Sequence, residues 1–438
     1  GLKPRPSEAA IYQKASSVSR LVANEDTTMS KTEVDIGTKT GVSSASEHKV
    51  QQITTRTDSR EILANARRDI ARLHLDDYFI VDVDAHHVEF DSWSEILEHL
   101  ENPVLRHNAI SMTQNWPNAK QLAFSNHPVG LTFQDVFGRI PHQAELGEYV
   151  EKTDEHRDLT LVRRAMDSMG IKMQVVFPQP MLEMGLHPDP DIVTAMTFAY
   201  NRWFTKTILP REKRVKTLLC LPFHDPDACM NMIKEFGETP GVVGFMITSQ
   251  RHAGVYKNMF MRIYRELEER GLPLAFHAGP TWGDTMTSTM NRFLSVHSMS
   301  FVTCNMTHLT NWIVNGLPER FPKLKVIWIE SGLAWVPFMM QRLDHEYLMR
   351  QSDAPLLKRL PSEYIADMYF TSQPLEVTMP HMLEATFKAV HAETQLMYSS
   401  DWPHWDFDVP ARIAGLPFLD EQAKRNILGE TARKLFHL

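Results

Sequence analysis

A chain of 438 residues, 43% hydrophobic and 23% charged, has a globular composition and room for one large α/β domain or two smaller ones. A formal net charge of −8 without any basic block argues against nucleic acid as a partner. No apolar run is long enough to span a membrane, and three cysteines without a CxxC pair argue against a disulfide framework and for a reducing, cytoplasmic setting.

Residues 1–60 are polar, rich in Ser, Thr, Lys and Glu, and are expected to form a flexible N-terminal arm that cannot bury enough apolar area to fold alone. A helical pattern over 60–74 leads into a strand-like run at 79–83, Phe79-Ile80-Val81-Asp82-Val83. Asp84, His86, His87 and Glu89 follow at once. Residues two apart in a strand share a face, so Asp84 and His86 offer one carboxylate and one imidazole to a common point. Those donors suit a divalent metal ion. A lone Asp-x-His triplet is weak, and its meaning depends on what meets it. Residues 90–156 then form a long excursion containing His107, Trp116, His127 and His142, which reads as a lid or substrate wall.

Strand-like runs at 173–177, 217–221, 242–247, 272–276, 325–329, 366–370 and 395–399 follow. They alternate with helical patterns at 191–207, 226–236, 256–271, 310–320, 334–350, 378–390 and 420–436. Asp225-Pro226 marks a helix start and Gly271 a helix end. Strands spaced too widely for hairpins predict a (β/α)8 TIM barrel over 61–438, distorted by the insertion after strand one. Such barrels place active sites past the C-terminal strand ends. Asp84 and His86 stand there after strand one, His224 after strand three, and His277 after strand five. Glu330 follows strand six, and Asp401 and His404 follow strand eight.

These segments resemble the amidohydrolase superfamily, in its amidohydrolase-2 branch of aminocarboxymuconate-semialdehyde decarboxylase, resorcylate-type decarboxylases and metal-dependent hydrolases. The resemblance spans 78–438. It is carried by Asp82-Val83-Asp84-Ala85-His86, Phe276-His277-Ala278-Gly279, Gly316-Leu317-Pro318-Glu319-Arg320-Phe321-Pro322, Glu330-Ser331-Gly332-Leu333-Ala334-Trp335 and Ser400-Asp401-Trp402-Pro403-His404. The resemblance implies that Asp84, His86, His277 and Asp401 hold one divalent ion, zinc first, with manganese or iron as alternatives. It also implies a homodimer or higher homo-oligomer. Two departures stand out. Strand one carries Asp-x-His in place of His-x-His or Glu-x-His, and Glu330 occupies the place of a histidine that decarboxylases use in catalysis. The strand-four end, Phe245-Met246-Ile247-Thr248-Ser249, has no lysine to bridge two metals, which favours a single ion.

The function expected first is hydrolysis of a small carboxylated or aromatic molecule by a metal-activated water. Asp401 would accept the water proton, and Glu330 or His404 would return one to the leaving group. Nonoxidative decarboxylation of an aromatic or muconate-type acid is the alternative, ranked second because Glu330 replaces the histidine. A catalytically silent barrel used as a binding module is the third. Blander roles compete at several positions: Glu330 as a carboxylate paired with a basic residue, His224 as a helix-start residue, His87 and Glu89 behind the ligands or at the surface, His308 as structural. Trp282, Trp402 and Trp405 are either pocket walls or packing residues.

Overall fold

The apolar runs form eight parallel strands in sequential order around a ring. They are β1 (Ile80–His87), β2 (Ile171–Pro178), β3 (Val215–Cys220), β4 (Val242–Thr248), β5 (Leu274–His277), β6 (Val326–Ile329), β7 (Tyr369–Thr371) and β8 (Leu396–Met397). The structure is a computed structural model that describes residues 59–87, 89–115, 150–151, 153–249, 253–281, 284–404 and 406–438. The ring closes between the last strand and the first: the Val83 N–H donates to the Tyr398 carbonyl (3.0 Å) and the Asp401 N–H to the Asp84 carbonyl (2.7 Å). This is the expected (β/α)8 barrel.

Alternate strand residues serve two cores, as period-two geometry requires. Val81, Val83, Val175, Leu218, Met246, Ala275, Ile327, Ile329 and Met397 fill the interior. Ile80, Val176, Leu219, Phe245, Leu274, Phe276, Trp328 and Phe370 pack outward under the helices. The helices that matter here are α1 (Ser59–Arg72), α2 (Arg157–Met169), α3 (Pro190–Trp203), α4 (Pro226–Phe236), α5 (Met261–Arg270), α6 (Phe293–Val314) and α7 (Trp335–Met349). Asp189 and Asp225 cap α3 and α4 with their side chains, ahead of a proline in the first turn, as the sequence signals at Asp225-Pro226 indicate.

Several boundaries differ from expectation. The run predicted at 366–370 begins inside a helix, Pro361–Ala366, and β7 starts only at Tyr369. Pro361 opens that helix, and the Glu363 side chain reaches back to the Leu360 N–H (2.9 Å). The last strand is two residues long, because the Tyr398 N–H turns to the Ile427 carbonyl (2.8 Å). The helical pattern at 310–320 catches only the end of α6, which begins at Phe293. Its serines and threonines hide the period, but Ser298, Thr303, Thr307 and Thr310 bond back to carbonyls one turn earlier.

The N-terminal arm expected over 1–60 lies outside the described residues apart from the first two residues of α1, as does most of the 90–156 excursion, including Trp116, His127 and His142. The part described forms helices Trp93–Glu98 and Pro103–Asn115, with His107 exposed. Among the described residues no helix is long and apolar enough to cross a membrane.

Candidate metal centre

Asp84 and His86 do share a face, but simple alternation would have sent them the wrong way. Val81 and Val83 point into the barrel, so unbroken alternation would turn Asp84 and His86 outward beside Asp82. The pairing of β1 with β2 slips between Asp82, opposite Gln174, and Ala85, opposite Val176. One extra residue on β1 reverses the facing, as a bulge does. His86 therefore turns inward against Phe177 and His277, and His87 turns outward onto Tyr200 and Trp203.

At the C-terminal mouth β1 meets residues from the ends of β5, β6 and β8. The His86 Nε2 stands 3.2 Å from Asp84 Oδ1, 3.2 Å from Asp401 Oδ1 and 3.7 Å from Glu330 Oε2. The His277 Nε2 stands 3.5 Å from Asp84 Oδ1 and 3.3 Å from Glu330 Oε2. All five residues are buried, and these facing atoms make no well-formed hydrogen bond. Buried polar atoms left unsatisfied are costly, and here they converge on one point. The tautomers agree with this. The Nδ1 of His86 faces the Pro178 carbonyl (3.3 Å) and that of His277 the Ala278 carbonyl (3.1 Å). A carbonyl only accepts, so each Nδ1 carries the proton and each Nε2 presents a lone pair to the centre. The donor set and its orphaned atoms fit a divalent metal ion.

The backbone is bent to make this cluster. Glu330 (φ 50°) and Asp401 (φ 62°) both adopt the left-handed region, at about 1–2 kcal/mol each for a residue with a side chain. Neighbours hold them there. The Glu330 N–H donates to Thr371 Oγ1 (3.1 Å), and Asn305 Nδ2 donates to the Ile329 carbonyl (3.2 Å) and to Ser331 Oγ (3.0 Å). Asp401 is fixed through Ser400, whose N–H (2.8 Å) and Oγ (2.6 Å) both donate to the Asp82 carboxylate.

The charges at the mouth are unbalanced. Burial pushes the Glu330 carboxyl well above the usual range, and the nearby Asp401 charge adds to this. Burial likewise lifts Asp401 to about 7. Burial acts upward on Asp84 too, but His277 and His86 outweigh it and hold that carboxyl below its ordinary value. Burial alone would depress His86, yet contact with Asp401, Asp84 and Glu330 raises it well above the usual imidazole range. Three carboxyl groups around two imidazole nitrogens would, once ionised, carry an excess of negative charge that a divalent cation would neutralise.

His404 stacks on His86, with ring centroids 4.4 Å apart, and places Nδ1 2.6 Å from Asp401 Oδ1. Its Nε2 meets the Gln179 side-chain oxygen. Burial, and the charge on His86, depress its basicity well below the usual value. The structure thus brings together Asp84, His86, His277, Glu330, Asp401 and His404. His224 lies in the turn before α4 and is not among the clustered residues. His87 is buried behind β1, between Asp158 Oδ2 (3.0 Å) and the Tyr200 hydroxyl (2.8 Å), and Glu89 accepts from the Gln179 (2.8 Å) and Met181 (2.6 Å) N–H groups. His308 packs on Phe276, and Trp402 is buried edge-on to Phe407 rather than lining a pocket wall. Trp282 and Trp405 lie outside the described residues. Sequence reasoning missed Gln179, for which no local signal exists. It also passed over Asp82, whose charge inside an apolar strand was a signal.

The amidohydrolase family model matches residues 83–438. The 5-carboxyvanillate decarboxylase of Sphingomonas paucimobilis superposes with a TM-score of 0.60 at 19% identity, over 83% of this chain and 100% of that one. The manganese-bound 5-carboxyvanillate decarboxylase of Novosphingobium aromaticivorans gives 0.60 at 17%, over 83% and 97%. The 2,6-dihydroxybenzoate decarboxylase from Rhizobium gives 0.56 at 18%, over 82% and 99%. At these identities the likeness is one of fold. The family match, from within β1 to the last residue, is what shows that the chain belongs to the amidohydrolase family.

Proposed function

We propose that this protein is a metal-dependent, nonoxidative decarboxylase of a hydroxylated aromatic acid. The observation that carries the reading is the convergence at the barrel mouth of buried Asp84, His86 and His277 atoms that lack a hydrogen-bond partner, with Asp401 against them and the His404 ring 2.6 Å from its Oδ1. Solved structures of the same fold, named as decarboxylases of 5-carboxyvanillate and 2,6-dihydroxybenzoate, support the choice of reaction. The order preferred from the sequence alone therefore reverses. Hydrolysis ranked first because Glu330 replaces a histidine, but His404 supplies an imidazole to the same mouth from the end of β8.

We assign Asp84, His86, His277 and Asp401 to hold one divalent ion; manganese, present in a solved structure of this fold, stands beside zinc as a candidate. Bound there, the ion supplies Lewis-acid polarisation of the substrate's carboxylate and hydroxyl oxygens. The protein's own groups handle the proton. With its Nε2–H given to Gln179, His404 leaves Nδ1 2.6 Å from the Asp401 carboxyl, and we assign the pair to hold one proton between them. As the bond between ring and carboxylate breaks, its electron pair stays on the ring carbon, carbon dioxide leaves, and Asp401 delivers the proton to that carbon. The dry surroundings of these buried groups strengthen each of these contacts.

The test is to incubate the manganese- and zinc-loaded protein with a panel of hydroxybenzoates, including 2,6-dihydroxybenzoate and 5-carboxyvanillate, and with a panel of amides and lactones. Release of carbon dioxide in step with the decarboxylated phenol is expected. Hydrolytic product without carbon dioxide would overturn the reading in favour of hydrolysis. Failure to retain a tenth of an equivalent of metal after reloading, taken as the rough threshold for a working site, would indicate the silent barrel.

A further inference from the structure

Glu330 is one of the two departures from the family pattern, and its position bears on which metal the site takes. We infer that Glu330 is a ligand of the metal ion and not the proton donor, which makes a shell of three carboxylate oxygens and two imidazole nitrogens that selects a hard, five- or six-coordinate ion such as Mn(II) over tetrahedral zinc. The inference rests on the metal-site part of the reading above and is independent of the reaction catalysed.

The geometry treats Glu330 and Asp84 alike. Asp84 Oδ1 lies 3.2 and 3.5 Å from the Nε2 atoms of His86 and His277; Glu330 Oε2 lies 3.7 and 3.3 Å from the same two atoms. One oxygen of each carboxylate sits against the same pair of lone pairs. With bonds of about 2.2 Å, neighbouring donors of an octahedral ion lie about 3.1 Å apart and opposite donors about 4.4 Å apart. Donor atoms of Asp84, His86, His277 and Glu330 fall within 4.8 Å of one another, and so do those of His86, Glu330, Asp401 and His404. His86 and Glu330 belong to both groups, so Glu330 lies near the middle of the cluster and not at its rim.

The alternative role fits this placement poorly. A proton donor must reach the substrate, yet Glu330 is buried and its Oε2 faces two imidazole nitrogens instead of open space. Among the described residues its ion-pair partners are the two imidazoles and no arginine or lysine, which removes the structural pairing with a basic residue. The left-handed backbone at φ 50° aims the side chain inward, and Thr371 and Asn305 pin the turn. Strain held in place by neighbours at a ligand position is a common feature of metal sites. The donor count also exceeds four, the number a structural or catalytic zinc ordinarily takes from protein and water together. Oxygen-rich sets favour the harder ions.

The experiment titrates the chelator-stripped full-length protein with Mn(II) and with Zn(II), by calorimetry and by the electron-paramagnetic signal of free Mn(II). Variants are E330Q, E330D, E330H and, as a reference for the site itself, D84N, each checked by circular dichroism for folding. Loss of a true ligand should exceed the effect of removing an outer-shell partner, so E330Q is expected to weaken Mn(II) binding by more than about 100-fold. E330H, which exchanges an oxygen for a nitrogen donor, is expected to raise the ratio of zinc to manganese affinity. Mn(II) affinity of E330Q within about threefold of the wild type, with D84N binding lost, overturns this proposal and leaves the metal site standing. Unchanged affinity in both variants removes the metal site as well. If E330Q fails to fold, E330D carries the test: its shorter reach should cost about tenfold or more, and unchanged affinity again overturns the proposal.

Discussion

Asp82 is the residue whose loss should show how the site is held together. Its carboxylate lies inside the strand region, fully buried, and accepts from Ser400 N–H (2.8 Å), Ser400 Oγ (2.6 Å), Gln174 Nε2 (2.8 Å) and Asp84 N–H (3.2 Å). It therefore ties β1 to β2 and to the turn that carries Asp401. Asp82→Ala orphans the two Ser400 donors, the Gln174 amide and the Asp84 N–H in a buried place. Each costs about 1–3 kcal/mol. Burial lifts the Asp82 carboxyl to about 7, so removing it relieves part of that burial cost. The net expected loss is about 3–5 kcal/mol, the range for breaking one side of a buried polar network. In a barrel of this size that corresponds to roughly 5–10 °C in Tm. Ser400→Ala alone removes one donor and should cost about 1–2 kcal/mol. The double variant should fall short of the sum by about 1–2 kcal/mol, because both changes delete the same bond. Thermal melts of the metal-free protein measure the cycle, and Mn(II) titration of the single variants should show affinity reduced about 10- to 100-fold as Asp401 loosens. Additive energies, or a Tm for Asp82→Ala within about 2 °C of the wild type, would refute the clamp.

His404→Ala should lower kcat about 10²- to 10⁴-fold while metal content stays near one equivalent, since the ring partners Asp401 and does not complete the cage; loss of metal together with activity, by elemental analysis, would make it a ligand. Glu89 gives a pH signature. Burial pushes its carboxyl up to about 7 from an ordinary 4.5, so its favourable contribution is present in full below the unfolded value and is lost as pH rises through the folded one. Glu89→Gln cannot titrate, so its stability deficit against the wild type should shrink by up to ~3 kcal/mol between pH 5 and pH 8 in denaturant melts; a deficit constant with pH would show that Glu89 is charged throughout.

Much of this protein is local enough to read in one dimension. Eight apolar runs and the helix signals at Asp225-Pro226 and Gly271 were sufficient for a barrel, because strand and helix periods and capping residues act over a few positions. Asp84, His86, His277, Asp401 and His404 stood out because ligand types recurred at one end of successive strands. Folding decided the rest. The extra residue between Asp82 and Ala85 that turns Asp84 and His86 inward is a property of how β1 pairs with β2, and no pattern within β1 alone contains it. The left-handed turns at Glu330 and Asp401 depend on Thr371, on Asn305 and, through Ser400, on Asp82, which approach only after the barrel closes. Gln179 reaches His404 from 225 positions away. Side-chain type travels with the sequence, but the direction in which a carboxylate or an imidazole points is set by partners distant along the chain. That is why the residues that cluster at the mouth could be picked out from the sequence, while the placement of Glu330 against both imidazoles came only with the folded protein.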